Sequence, residues 1–76
     1  MNPSRGVGKR CVFLGGGGHA SVLIEALRMS GMAIPHAVLD AEAAKWGKEL
    51  LGVPIVGGDD LLPRVIAHGV RYFAVG

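Results

Sequence analysis

Short apolar segments alternate along this chain with amphipathic ones, and the alternation predicts its secondary structure. Continuous apolar runs of strand length are typical of parallel strands that are buried on both faces. Apolar side chains at helical spacing predict a helix from Ala20 to Met29, which Gly31 should end. A second helix should follow Asp59 or Asp60, as its cap, and run to about His68. The strands are predicted at about 10–14, 35–39, 53–56 and 71–75.

The resulting order, β-α-β-β-α-β, defines the fold class. Helices between successive strands imply right-handed crossovers and parallel pairing. We therefore predict an α/β fold with a mainly parallel sheet of about four strands and with the first strand in its interior. The strand at 53–56 contains Pro54, which cannot donate to a ladder, so we expect this strand at an edge. The stretch 41–51 is weakly periodic and is compatible with a short helix or a loop.

The pattern is interrupted by four glycines and a histidine, Gly15 to His19, between the first strand and the first helix. Glycines let the backbone approach a ligand closely and adopt positive φ where a turn needs it. Free N–H groups at a helix N-terminus, together with the helix dipole, form an anion site. The spacing Gly15-x-Gly17-x-x-Ala20 also fits the dinucleotide-fold fingerprint. We therefore predict a small Rossmann-like domain that holds a phosphate-bearing ligand at this loop.

Residues of the loop and of the second strand can each be interpreted as binding a ligand or as forming a structural turn. The N–H groups of Gly17 and Gly18 can donate to a diphosphate, and His19 can add a side-chain donor and positive charge. The alternative is a tight structural turn with a capping histidine. Asp40, at the end of the second strand, either binds a ribose hydroxyl or closes a strand-end turn.

Two further glycines follow predicted strands. Gly58 either lines a nucleoside pocket or forms, with Gly57, the turn before the second helix. Gly76 follows the last strand, where another strand-to-loop switch is expected, so it should lie beside Gly15. We therefore expect the chain to end within a binding site, as a fragment of a longer protein would.

Composition narrows the classes of function. The chain has 76 residues, half of them hydrophobic, which predicts one folded domain, 9–76, after a flexible leader, 1–8. A net charge of +2 without a basic stripe disfavours nucleic acid as a partner. Cys11 is the single cysteine and should be a buried thiol. We expect no metal site, signal peptide or membrane span, and hence a cytoplasmic location.

Four segments together resemble a known family. They are VFLGGGGHA at 12–20, AVLD at 37–40, LGVPIVGG at 51–58 and YFAVG at 72–76. They resemble the N-terminal domain of the PglD/NeuD-like nucleotide-sugar acyltransferases over about residues 9–76. The family often has two acidic residues after its second strand, whereas here Asp40 is followed by Ala41.

The resemblance implies a substrate-binding domain of a nucleotide-sugar N- or O-acetyltransferase, commonly for a UDP-sugar. In such enzymes a left-handed β-helix of hexapeptide repeats binds acetyl-CoA, carries the catalytic histidine and assembles as a homotrimer. No such repeats occur in this sequence, so we expect this chain alone to be inactive, with no catalytic residue and no cofactor of its own. The substrate-binding residues would be Gly15, Gly17, Gly18, His19, Asp40, Gly58 and Gly76.

Two other functions stay open at this point. One is the dinucleotide-binding half of an NAD-type, oxidoreductase-like protein, which would need a second mononucleotide-binding half for a complete site. The other is a non-catalytic nucleotide-binding module.

Overall fold

The computed structural model describes residues 9–76, so the leader predicted at 1–8 lies outside the described residues. Two short 3₁₀ turns occur at Ala43–Lys45 and Asp59–Leu61. The helices and strands, in chain order, are β1 (Arg10–Leu14), α1 (Gly18–Ser30), β2 (Ile34–Leu39), β3 (Glu49–Leu50), β4 (Val53–Gly57), α2 (Leu62–Ala67) and β5 (Tyr72–Val75).

The strands form one five-stranded sheet in the order β3-β4-β2-β1-β5. β1 pairs in parallel with β2 and β5, and β2 pairs in parallel with β4, while β3 and β4 form an antiparallel pair. The predicted α/β class with a mainly parallel sheet is confirmed. β1 lies in the interior, as predicted. The fifth strand is β3, two residues long, in the stretch where the sequence indicated only a helix or a loop.

A helix covers each face of this sheet, because successive strand residues point to opposite faces. On one face Phe13 and Ile24, both fully buried, join β1 to α1. On the other face Val12 and Leu39 pack with side chains from α2 and its preceding turn. Cys11 is buried on the α1 face, as predicted, and this burial raises the pKa of its thiol.

The predicted edge position of β4 is wrong, because β3 lies outside it. Pro54 does not keep β4 at the edge, because it is not the residue whose N–H is needed for pairing. Ile55, and not Pro54, bonds to the segment that leads into β3: its N–H donates to the carbonyl oxygen of Lys48 over 2.8 Å, and its carbonyl oxygen accepts from the N–H of Gly47. Pro54 therefore costs this pair no ladder bond.

Both helix starts differ from the predictions. α1 begins at Gly18 instead of Ala20, with Gly17 as its N-cap, so the loop is shorter than predicted. Neither Asp59 nor Asp60 caps a helix: Gly58 is the N-cap of the 3₁₀ turn, without any side-chain cap bond. The predicted stop of α1 is confirmed, since Gly31 adopts a φ of 67° and donates its N–H to the carbonyl oxygen of Leu27.

Candidate functional site

The glycine loop crosses the carboxyl end of the sheet and is tied to the neighbouring strand. Gly15 has a φ of 101°, a conformation that favours glycine, and its N–H donates to the carbonyl oxygen of Leu39 over 2.7 Å. The N–H of Gly16 donates to Oδ2 of Asp40 over 2.7 Å. A Cβ on Gly16 would lie 3.0 Å from the same Oδ2 and 3.3 Å from the side chain of Val38. The first half of the loop is therefore a packed structural turn.

The second half of the loop is open. Gly17 has ordinary extended backbone with a φ of −83°, and a Cβ on Gly17 or Gly18 would meet no atom within 4 Å. Within residues 9–76, the N–H groups of Gly17, Gly18 and His19 donate to no backbone acceptor, and no side chain caps the helix. Three adjacent N–H donors thus face open space at the positive end of α1, which is an arrangement that binds anions.

His19 occupies the first turn of α1 and is exposed. Its position beside the free N–H groups is the one that the sequence predicts for a side-chain donor to the same anion. Among residues 9–76, no side-chain cap bond is present at the start of α1.

Asp40 connects the loop to the next part of the chain. Its Oδ1 accepts a hydrogen bond from the N–H of Glu42 over 2.8 Å, while its Oδ2 accepts the bond from Gly16 and lies 3.6 Å from Nζ of Lys45. The carboxylate therefore closes a strand-end turn, as one of the two interpretations predicts. The side chain is 12% exposed.

The ionised carboxylate of Asp40 contributes to the stability of the folded state. The backbone hydrogen bond from Glu42 and then that from Gly16 lower the pKa of the carboxyl, and the charge of Lys45 acts in the same direction against partial desolvation. A carboxyl with a lowered folded-state pKa stabilises the fold above its unfolded pKa of about 3.9. This contribution is lost as the pH falls through the folded-state pKa.

We therefore expect Asp40→Asn to unfold at a lower temperature than wild type at pH 7, because an amide nitrogen cannot accept one of the two N–H bonds. The difference in Tm should narrow as the pH falls from the unfolded-state pKa of about 3.9 through the lower folded-state pKa, because the unfolded wild-type chain takes up a proton at Asp40 before the folded protein does. Thermal unfolding followed by circular dichroism between pH 7 and pH 2 measures this. Asp59→Asn, at an exposed carboxylate, is the matched control and should leave Tm close to wild type. A Tm difference for Asp40→Asn that does not change with pH would contradict the assignment.

Gly58 lies at the end of β4, buried beneath Trp46. A Cβ on Gly58 would lie 3.2 Å from Cζ2 of Trp46 and 3.1 Å from Oδ1 of Asp60. The indole N–H of Trp46 donates to the carbonyl oxygen of Asp40 over 2.7 Å. Gly58 therefore belongs to the same edge as Asp40, and its small size lets the indole pack there.

Gly76 lies beside Gly15, as predicted. Its N–H donates to the carbonyl oxygen of Leu14 over 2.9 Å, so it continues the pairing of β5 with β1. A Cβ at this position would lie 2.5 Å from the carbonyl oxygen of Gly15 and 2.6 Å from Cβ of Ala20. The close approach of Gly76 to both the loop and α1 requires a glycine.

The structure thus brings the predicted residues to one end of the sheet. Gly15 and Gly76 form the packed base of the site. Gly17, Gly18 and His19 carry the N–H groups without a backbone acceptor. Asp40 and Gly58 continue the same edge of the sheet toward β4. Trp46 lies at the same edge, although it is not among the predicted site residues. Its position six residues after Asp40, in the segment that follows a strand end, was the available signal, because ligands of open α/β sheets bind at that edge.

Other kinds of site are not seen in the described part of the chain. In residues 9–76 no three His, Cys, Asp or Glu side chains converge as a metal site would require. None of the helices described there has the length and hydrophobicity that a membrane span needs.

The strand order, the glycine loop and the helix that follows it define a small Rossmann-like α/β domain. No protein-family model and no curated protein matches the chain. Among solved structures, the chain is similar to perosamine N-acetyltransferase from Caulobacter crescentus. Two mutants of that enzyme, in complex with CoA and GDP-perosamine, match with 42% identity and a TM-score of 0.73 over 86% of this chain. PerB from the same organism, with the same two molecules, matches with 43% identity and a TM-score of 0.71, also over 86% of this chain.

The matched part is 29% of the mutant enzymes' chains and 28% of the PerB chain. The chain therefore spans less than a third of the length of the proteins that it matches. Over that span, the chain is similar in fold and in sequence to part of these sugar acetyltransferases. This agrees with the resemblance drawn from the four sequence segments.

Proposed function

We propose that this chain is the nucleotide-sugar-binding domain of an acetyltransferase, and that its glycine loop holds the diphosphate. The observation that carries the proposal is the set of three free N–H groups, at Gly17, Gly18 and His19, at the positive end of α1. A diphosphate supplies the charge and the acceptor oxygens that these donors lack. The imidazole of His19 adds a fourth donor from the same turn.

The remaining predicted residues take supporting roles in this proposal. Gly15 and Gly76 keep side chains away from the base of the site, where their backbones touch. Asp40 positions the loop through Gly16, and its carboxylate, which is 12% exposed, would also accept a hydrogen bond from a ribose hydroxyl. Gly58 lacks a side chain and so leaves space beyond Asp40, on the side where the nucleoside would lie.

The proposal extends to a longer parent protein. The structural relatives hold CoA together with a nucleotide-sugar, which supports acetyl-CoA as the acyl donor of the parent. Transfer of the acetyl group, by a hexapeptide-repeat β-helix in a homotrimer, would be carried out outside the 76 residues described by this sequence. The nucleotide is UDP by the family resemblance, or GDP by analogy with the sugar nucleotide that the relatives bind.

The test is a calorimetric titration of the chain with GDP, UDP and the corresponding nucleosides. We expect each nucleoside diphosphate to bind about ten- to a hundredfold more tightly than its nucleoside, because one charge-assisted hydrogen bond of about 1.5–3 kcal/mol corresponds to that factor. His19→Ala should weaken diphosphate binding by about tenfold and leave nucleoside binding nearly unchanged. His36→Ala, at an exposed histidine in the first half of β2, is the matched control and should bind as wild type does.

Equal affinities for a diphosphate and its nucleoside would reduce the loop to a structural turn. NAD in the same titration separates the dinucleotide alternative. An NAD affinity well above that of both GDP and UDP would favour the oxidoreductase-like function over the sugar nucleotide.

A further inference from the structure

A second open feature lies at the end of β4. It is a hollow of about 150 Å³, which we call the β4 hollow, lined by Trp46, Val56, Gly57, Gly58, Asp60 and Leu61. Apart from Gly58, none of these residues has a role in the proposed diphosphate site. The β4 hollow therefore needs an explanation of its own.

One wall of the hollow is a tryptophan ring held in a fixed position. The indole N–H of Trp46 is bonded to the carbonyl oxygen of Asp40, and the ring packs over Gly58, yet 44% of the residue stays exposed. An aromatic ring that is anchored at one edge and open elsewhere is a platform on which a nucleobase stacks.

Another wall carries a carboxylate without a partner. Within the described residues, Asp60 forms no ion pair and no hydrogen bond, whereas Asp40 nearby has several. A carboxylate only accepts hydrogen bonds, and it binds most strongly to two parallel N–H donors. Guanine offers such a pair at its N1–H and exocyclic amino group. Uracil offers a single N–H between two carbonyl oxygens, and adenine places an acceptor nitrogen beside its amino group.

The hollow and the diphosphate site are joined by a single residue. Asp40 contacts the glycine loop through its carboxylate and Trp46 through its carbonyl oxygen. A ribose over Asp40 would therefore lie between phosphates at the loop and a base at Trp46. The sugar nucleotide bound by the structural relatives is a guanine nucleotide, which is compatible with this arrangement.

We propose, on the basis of the proposed function, that the β4 hollow binds the nucleobase, with Trp46 stacking on it and Asp60 selecting guanine. The substrate class is then GDP-sugars in preference to UDP-sugars. Asp60 is a specificity-determining residue in this proposal, and Trp46 is the platform that any base would use.

The first experiment compares GDP, UDP and ADP by calorimetric titration. We expect wild type to bind GDP at least tenfold more tightly than the other two, since a site built around a donor pair rejects bases that lack it. Asp60→Asn should lower GDP affinity by about ten- to a hundredfold, the effect of losing one charge-assisted bond, and should leave UDP affinity nearly unchanged. Asp59→Asn, in the same 3₁₀ turn but outside the hollow, is the matched control and should keep the preference for GDP.

The second experiment uses the fluorescence of Trp46, the single tryptophan of the chain. GDP should change its emission by stacking, whereas inorganic diphosphate should bind, as measured by calorimetry, with little change in emission.

The outcomes separate this inference from the proposed function. If neither inorganic diphosphate nor any nucleoside diphosphate binds, both are wrong. If diphosphates bind but GDP and UDP bind equally, or if Asp60→Asn keeps the wild-type preference, the assignment of the base is wrong and the diphosphate site stands. If GDP binds without any change in Trp46 emission, the stacking platform is wrong.

Discussion

Gly17→Asp should remove nucleoside diphosphate binding, by at least a hundredfold, while the domain stays folded. The backbone of Gly17 is extended, with a φ of −83° that any residue adopts, and a Cβ there meets no atom within 4 Å. The new carboxylate would sit at the N-cap of α1, where it accepts hydrogen bonds from the first-turn N–H groups. Those are the donors that we assign to the diphosphate, and the added charge repels the ligand as well. Losing two charge-assisted bonds of about 1.5–3 kcal/mol each corresponds to a hundredfold or more.

Stability distinguishes this result from simple unfolding. A good N-cap residue in place of glycine gains a few tenths of a kcal/mol, so the Tm of Gly17→Asp should rise by about 1–3 °C. Gly17→Asn, a neutral cap of the same shape, is the control and should weaken binding less than the charged variant. Calorimetric titration with GDP and thermal unfolding measure both quantities. Wild-type affinity in a folded Gly17→Asp variant would contradict the assignment of the donors.

Phe13→Ala should have the largest effect on the fold. Phe13 is fully buried on β1, opposite Val38 on one side and Ala74 on the other, beneath α1. Truncation of a buried phenylalanine costs about 3–5 kcal/mol, through lost burial and the cavity that remains. A domain of this size has about 4–11 kcal/mol in total, so the variant should be largely destabilised.

Phe73→Ala is the matched control, because it makes the same change on the adjacent strand. Phe73 is 37% exposed on β5 at the sheet edge, and its loss should cost about 1 kcal/mol. Urea unfolding of both variants measures the difference. Similar losses for the two variants would contradict the burial that places β1 at the centre of the core.

The sequence predicts most of this fold because its signals are local. The apolar run at 10–14 and the helical spacing after it fix β1 and α1, and Gly31 marks the end of the helix. Pro54 does not predict the place of β4 in the strand order. That place depends on which residues of β4 form hydrogen bonds with the chain at β3. That pairing is settled by a two-residue strand too short to leave a pattern.

The sequence likewise predicts some features of the candidate site and not others. The glycine spacing predicts where the loop lies, and the strand order predicts that Gly76 returns to Gly15. The sequence does not show which glycines are structural. Gly15 has positive φ and Gly16 is packed against Asp40, whereas Gly17 has ordinary backbone and open surroundings. Such distinctions come from long-range contacts, and so does the position of Trp46 at the end of β4.

The proposed diphosphate site consists of the three free N–H groups at the start of α1, and amide NMR observes them directly. In a ¹H–¹⁵N titration with GDP, we predict that the amide signals of Gly17, Gly18 and His19 shift most, and downfield, as their N–H groups form charge-assisted bonds to phosphate. The amides of Gly31 and Gly69, which already donate to backbone carbonyl oxygens far from the loop, should stay unchanged. Saturation of the chain with GDP while the signals of the three loop amides keep their positions would contradict the assignment of these N–H groups to the diphosphate.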